Sequence, residues 1–311
     1  MKKFLLLLLF SHLYLFANSD EITAFQNEFS HNVLEKNIFK KHFRLFLEKN
    51  CLLSDDNCVD KQIARLKTWE STSANQALQE DLVKKHNKTQ LSNEYFQGVQ
   101  KNIFKLIDEK KILKSQFITL LDLSKQLITV TLYDNDTHEI YLIGSDFVSS
   151  GDINKESETK AGEDHFLQTP TGIFENLKGW RSDGKYNEDK SVLAYGQKGR
   201  FVFYFGKQKS VRYNSFDAFK NKLENKKDWK LITDYLEFAM HSHESSKPMG
   251  IPNSHGCIRI THELNLFLDE NLVLHKNNLN KSHLLPQDIS PEQMPLKIKY
   301  AGKYLIVVNK I

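Results

Sequence analysis

The chain has 311 residues, of which 40% are hydrophobic and 26% charged. That is the make-up of an ordinary folded protein with room for two domains, and it excludes a disordered or fibrous class. The formal net charge is +4, or +2 without Lys2 and Lys3, too near neutral to imply a nucleic-acid partner.

The N-terminus places Lys2 and Lys3 before an apolar run from Phe4 to Phe16, followed by the small or polar residues Ala17 to Ser19. This is the layout of a secretory signal over residues 1–19, shorter than the roughly 20 residues needed to span a bilayer comfortably. The chain is therefore expected to be exported, to the periplasm or cell envelope, with cleavage near Ala17 to Ser19. Left uncleaved, the segment would act as an anchor.

In an exported protein the three cysteines carry meaning. Cys51 and Cys58 enclose a short polar loop, and a disulfide between them would stabilise by roughly 2.5 kcal/mol on the chain-entropy model. Cys257 is then left over, and an odd cysteine in an oxidising compartment invites reading as a free reactive thiol.

Residues 20–115 read as helical. They hold no proline and only Gly98, and apolar residues recur at helical steps, as at Phe96, Val99, Ile103 and Ile107. Polar breaks fall near 54–60 and 71–74. From Phe117 the period changes. Ile128, Val130 and Leu132 alternate with Thr129, Thr131 and Tyr133, then Asp134-Asn135-Asp136 supplies a turn before the run at 140–143, which predicts a β-hairpin.

Further strands are expected at 172–174, at 201–205 and over 297–308, where Ala301-Gly302 would turn a final hairpin. One helix is expected from Phe216 toward Tyr235, its lysines on a solvated face, and another after Thr261, whose hydroxyl can cap it. The expected architecture is an α-helical domain at 20–115 followed by a mixed, mainly β catalytic domain with short helices at 116–311.

Chemistry concentrates around Cys257. A thiol of ordinary pKa is only a few per cent thiolate at neutral pH, so catalysis needs a base or a cation nearby. His255 lies two residues before it, and His241, sixteen residues before it, is the better candidate base if it returns on another strand. Gly256 permits a tight backbone before the nucleophile, whose N–H could serve an oxyanion, and Arg259 offers a fork suited to a carboxylate. These parts describe acyl transfer. The same residues admit a competitor, a zinc site of His241, His243, His255 and Cys257, although the set lacks a second cysteine and any general-base carboxylate apart from Glu244.

The segment S-H-G-C-I-R, with His241 sixteen residues before the cysteine and Met249-Gly250 between, resembles the signature of the YkuD-type L,D-transpeptidases. The stretch F-I-T-L-L-D-L-S-K-Q-L-I-T-V-T-L-Y-D resembles the opening hairpin of that domain, and T-P-T-G-I-F at 169–174 resembles its T-P-x-G-x-F segment. The likeness runs from about Phe117 to about Leu274.

The resemblance implies a β-sandwich with short helices and an enzyme acting on peptidoglycan stem peptides, with no cofactor. It makes Cys257 the nucleophile, His241 the general base and Ser242 the residue whose carbonyl orients that base. His255 and Gly256 shape the oxyanion loop, and Arg259 contacts the substrate carboxylate. One departure stands out: the base is commonly followed by glycine, as H-G-T, whereas this chain has H-S-H at 241–243. The implied activity is transpeptidation through a thioester. An L,D-carboxypeptidase and, more distantly, a non-catalytic wall-binding scaffold are the alternatives. The helical region would then offer a surface for a protein partner or for self-association.

Overall fold

The computed structural model describes residues 93–154, 166–186, 193–243, 249–287 and 289–311, together with Ile38, Phe39 and Lys41, which are helical. The chain divides into units at residues 1–41 and 42–311, and the architecture below is that of the second. The signal segment, the Cys51 and Cys58 pair and the rest of the region 20–92 lie outside the described residues.

Helix α1 (Asn93–Lys110) buries Val99, Ile103, Leu106 and Ile107, the stripe that helical spacing selects. That stripe packs on Ile118 and Leu120 of strand β1 (Gln116–Asp122), on Tyr133 of β2 (Leu127–Asp134) and on Ile306 of β9 (Tyr304–Val308). Asp122 fastens this layer: its carboxylate accepts from Ser124 N–H at 2.8 Å, from Tyr95 Oη at 3.3 Å and from Ile311 N–H at 3.3 Å. Every residue of β1 and β2 is buried, as expected of strands covered on both faces. Two of the hydroxyls this traps are satisfied by backbone carbonyls: Thr131 Oγ1 donates to Ile118 O at 2.8 Å and Thr119 Oγ1 to Tyr304 O at 3.1 Å, whereas Thr129 Oγ1 finds no partner among the described residues.

The remaining strands are β3 (Glu139–Ser149), β4 (Gly172–Glu175), β5 (Lys178–Arg181), β6 (Phe201–Asn214), β7 (Lys230–Ser242) and β8 (Ile258–Ile260). They form one sheet in the order β4-β9-β1-β2-β3-β8-β7-β6-β5. The two end strands, β4 and β5, are joined only by residues 176 and 177, so the sheet must curl until its ends meet. The seam is closed by Leu177 N–H donating to Tyr204 O at 2.9 Å and by the rings of Phe174 and Phe238, 4.9 Å apart. The domain is thus mainly β with a few short helices, in keeping with the class read from the sequence.

The expected hairpin at 128–143 is present as β2 and β3, antiparallel. Helix α2 (His262–Glu270) starts where expected, with Thr261 Oγ1 accepting from Leu264 N–H at 3.1 Å and donating to the buried Asp146 Oδ2 at 2.9 Å. Two expectations fail. Residues 216–235 do not form a helix: after a turn and the short 3-10 segment Lys226–Asp228, the chain enters β7, where Leu236, Phe238 and Met240 are buried and Leu231, Thr233 and Tyr235 exposed. That two-residue period outweighs the helix-forming lysines before it.

The final hairpin is also replaced. Helix α3 (Met294–Tyr300) opens with a proline in its first turn and buries Lys297 and Tyr300, three residues apart. Only β9 is a strand. It runs parallel to β1 and antiparallel to β4. The K-I-K-Y alternation fits a strand as well as a helix, and the short run left nothing to separate them.

Because Thr261 both caps α2 and satisfies Asp146, Thr261→Ala should lower unfolding stability by about 1–2 kcal/mol. Thr261→Ser should recover most of it. Urea denaturation of the two variants checks this, and an unchanged midpoint for the alanine variant would show that the bridge contributes nothing.

Candidate active site

Strands β7 and β8 pair in parallel, with Met240 opposite Ile258, His241 opposite Arg259 and Ser242 opposite Ile260. Residues in register share a face, so His241 and Arg259 stand side by side. Cys257 lies in the bend just before β8, half-buried and free of any disulfide. Its thiol rests against the backbone of β7 and donates to Glu237 O at 3.5 Å. The thiol donates to this carbonyl and not to the imidazole. Resting hydrogen bonds of a nucleophile and its base are often loose and tighten with substrate.

His241 is 5% exposed. Its Nδ1 lies 2.9 Å from Ser242 O, and a carbonyl can only accept, so Nδ1 carries the proton and Nε2 is the basic nitrogen. The serine that departs from the H-G-T pattern thus still presents its carbonyl. Tyr195 meets the His241 ring edge-on at 5.4 Å, and Trp180 in turn meets Tyr195 at 5.4 Å.

Burial dominates the electrostatics. It pulls the His241 pKa down to about 4, with the Arg259 charge adding to the effect against the opposing Ser242 bond. It also pushes the Cys257 thiol up, opposed by a hydrogen bond from the Ala239 backbone and by the Arg259 charge. At neutral pH the resting pair is therefore a neutral thiol beside a neutral imidazole. Arg259 donates to Asn253 O at 2.9 Å and has no carboxylate partner in ion-pair range among the described residues.

The loop before Cys257 is held from three sides. Gly256 takes φ +123°, and a Cβ there would come within 2.9 Å of Leu236, which explains the glycine. Ser254 Oγ accepts from Gly256 N–H at 3.1 Å and donates to Cys257 O, closing the turn. Thr169 Oγ1 donates to Gly256 O at 2.7 Å and accepts from Gly151 N–H at 2.8 Å. The T-P-T-G segment is thus a strut of the Cys257 loop, and residues 168–171 with 209–211 line a cavity of about 270 Å³. His255 is exposed and stacks on Phe166 at 4.2 Å.

All the residues singled out at 241–259 thus fall in one neighbourhood, His255 on its outer side. His243 is buried, with its N–H donating to Ile260 O at 2.8 Å. Among the described residues no cluster of three or more His, Cys, Asp or Glu side chains is placed to hold a metal ion. Sequence reasoning missed Gly196, Tyr204 and Glu237. Gly196, at φ +77°, lies so close to Ser242 that a Cβ would fall 2.7 Å from its carbonyl oxygen and closer still to its hydroxyl. An isolated glycine between polar residues gives no sequence signal of that contact.

The chain matches no protein-family model and no curated protein. Among solved structures it is similar to the L,D-transpeptidase from Xylanimonas cellulosilytica, at 16% identity over 63% of this chain and 61% of that one, with a TM-score of 0.30. It is similar to Bdellovibrio bacteriovorus Bd1075 at 16% identity, over 63% of this chain and 49% of that one, with a TM-score of 0.31. A third likeness is to a fused Zn-dependent amidase/peptidase/peptidoglycan-binding domain-containing protein from Clostridium acetobutylicum, at 12% identity over 70% and 63% of the two chains, with a TM-score of 0.27. The chain spans less than two thirds of each of these structures, and at such identities and TM-scores the likeness assigns no activity.

Two outcomes test this geometry. With the thiol pKa raised, the rate at which iodoacetamide labels Cys257 should keep climbing with pH beyond the ordinary thiol value of about 8.5. A rate that is flat from acid to neutral pH would instead reveal a preformed thiolate–imidazolium pair. Gly196→Ala, which displaces the Ser242 carbonyl, should lower kcat about 10- to 100-fold in protein that remains folded by circular dichroism. An unchanged kcat would show that His241 does not depend on that carbonyl.

Proposed function

We propose that the chain is an exported peptidoglycan L,D-transpeptidase that works through a thioester on Cys257. The observation that carries this reading is the parallel β7–β8 register. It sets a histidine of fixed tautomer beside an arginine that has no carboxylate partner among the described residues, next to the bend that carries a free thiol.

In the first step His241 Nε2 takes the thiol proton as Cys257 Sγ attacks the carbonyl carbon at an L-centre of a stem tetrapeptide. The C–S bond forms, the C–N bond to the terminal D-amino acid breaks, and the imidazolium returns its proton to the leaving amine. A neutral resting pair suits this sequence, because the base is unprotonated at any pH well above 4. Arg259 would receive the substrate carboxylate through its planar fork. The loop around Gly256, braced by Ser254 and Thr169, would aim backbone N–H groups at the oxyanion. Attack on the thioester by an amine gives a cross-link; attack by water gives L,D-carboxypeptidase trimming with the same residues in the same roles.

Incubating the purified protein with disaccharide tetrapeptides and following products by mass should yield cross-linked dimer, or exchange of the terminal D-amino acid for an added one. Cys257→Ala should abolish both, with thermal unfolding nearly unchanged. Tripeptide alone at high acceptor concentration would replace transpeptidase by carboxypeptidase, and activity retained by Cys257→Ala would refute the mechanism.

A further inference from the structure

Glu237 supplies the carbonyl against which the Cys257 thiol rests, and its side chain points from the exposed, odd-numbered face of β7. That is the face on which Ala239 and His241 follow at two-residue steps. Opposite it, β6 carries a bulge: Tyr204 pairs with Ala239 and Lys207 with Glu237, so Phe205 and Gly206, the latter at φ +88°, stand against Phe238 alone. The bulge keeps Tyr204 on the same face as Glu237, and the Tyr204 hydroxyl donates to Glu237 Oε2.

The carboxylate is thus held in place by Tyr204 on the strand face that carries His241, at the residue whose backbone carbonyl meets the thiol. Among the described residues no lysine, arginine or histidine lies within ion-pair distance of it; Lys207, its cross-strand neighbour, is directed over the Tyr235 ring instead, 5.4 Å from its centre. The Tyr204 phenol is pushed up to about 12, first by its bond to Glu237, so it stays a donor throughout the working pH range. Tyr195, packed on the base, has its own pKa raised by burial and then by the charges of Cys257 and Glu237.

Near the thiol stand two opposite charges with no charged partner in ion-pair range among the described residues: the Arg259 guanidinium, and the carboxylate of Glu237, whose backbone carbonyl the thiol meets. We infer that Glu237, fixed by Tyr204, is the acceptor site: it binds the protonated primary amine of the incoming acceptor and takes its first proton. This deepens the transfer reading and rests on it. An amine enters as –NH3+ and must lose two protons to become an amide. One passes to the Glu237 carboxylate and on to solvent. The freed lone pair attacks the thioester carbonyl carbon, forming the C–N bond. The second proton passes to His241 as the C–S bond breaks, and from there to the departing sulfur, which restores the thiol. Water brings no positive charge to pair with Glu237, so the site favours amines over water.

The test separates acylation from its partition. Wild type and Glu237→Gln are mixed with tetrapeptide, Cys257 acylation is followed by quenched intact-protein mass, and the ratio of transfer to hydrolysis is measured against added primary amine acceptor. Glu237→Gln should acylate within about threefold of wild type yet lose at least about tenfold in that ratio. Tyr204→Phe, which frees the carboxylate without removing it, should show a smaller loss in the same direction. A ratio unchanged in Glu237→Gln overturns the acceptor site. A wild type that acylates but gives only tripeptide at every acceptor concentration overturns it too, while leaving the Cys257 chemistry intact. A wild type that never acylates at Cys257 instead removes the transpeptidase reading on which the site rests.

Discussion

Three residue pairs of parallel ladder between β7 and β8 hold the site together. Parallel neighbours cannot be joined by a tight turn, because the chain must travel back along the strand before it pairs again. The connection 243–257 makes that journey, and the thiol sits at its end. This is the physical content of the spacing between His241 and Cys257: the histidine lies near the end of one strand, the cysteine just before the start of the next, and the parallel register leaves them about two residues apart along the ladder.

The rest of the fold braces this arrangement. The linker at 176–177 forces β4 to meet β5, and the curl of the sheet carries the Thr169 segment under the Gly256 loop. Backbone contacts from Ser150 secure the loop farther out, accepting from Asn253 N–H at 2.8 Å and Ser254 N–H at 2.9 Å. Little of this relies on ion pairs. Buried hydrogen bonds to backbone groups dominate, and they hold geometry without screening by salt. The same burial leaves the thiol and the imidazole both uncharged, so reactivity has to be generated with substrate in place, not stored in a resting ion pair.

Much of the centre could be read from the sequence because it is local. Cys257, Gly256 and Arg259 are near neighbours along the chain, His241 follows from a strand return, and Ser242 comes only from the family resemblance. The bonds around Asp146, Thr261 and α2 were half legible, the cap by its position and the carboxylate partner not at all. What escaped reading meets through the curl and the bulge. Tyr204 reaches Glu237 only because Phe205 and Gly206 shift the register of β6, and Gly196 touches Ser242 from a turn some forty-five positions earlier in the chain. The strand β7 itself was obscured by helix-forming lysines ahead of it, which hid the alternation that puts Glu237, Ala239 and His241 on one face.

The central claim is that Cys257 becomes acylated by a stem tetrapeptide with loss of the terminal D-amino acid. Rapid acid quenching followed by intact mass and peptide mapping measures this directly. The account predicts an adduct of tetrapeptide less its last residue, confined to the peptide bearing Cys257, labile to hydroxylamine as a thioester is. Product formation with no adduct, or with an adduct on another residue, would contradict it.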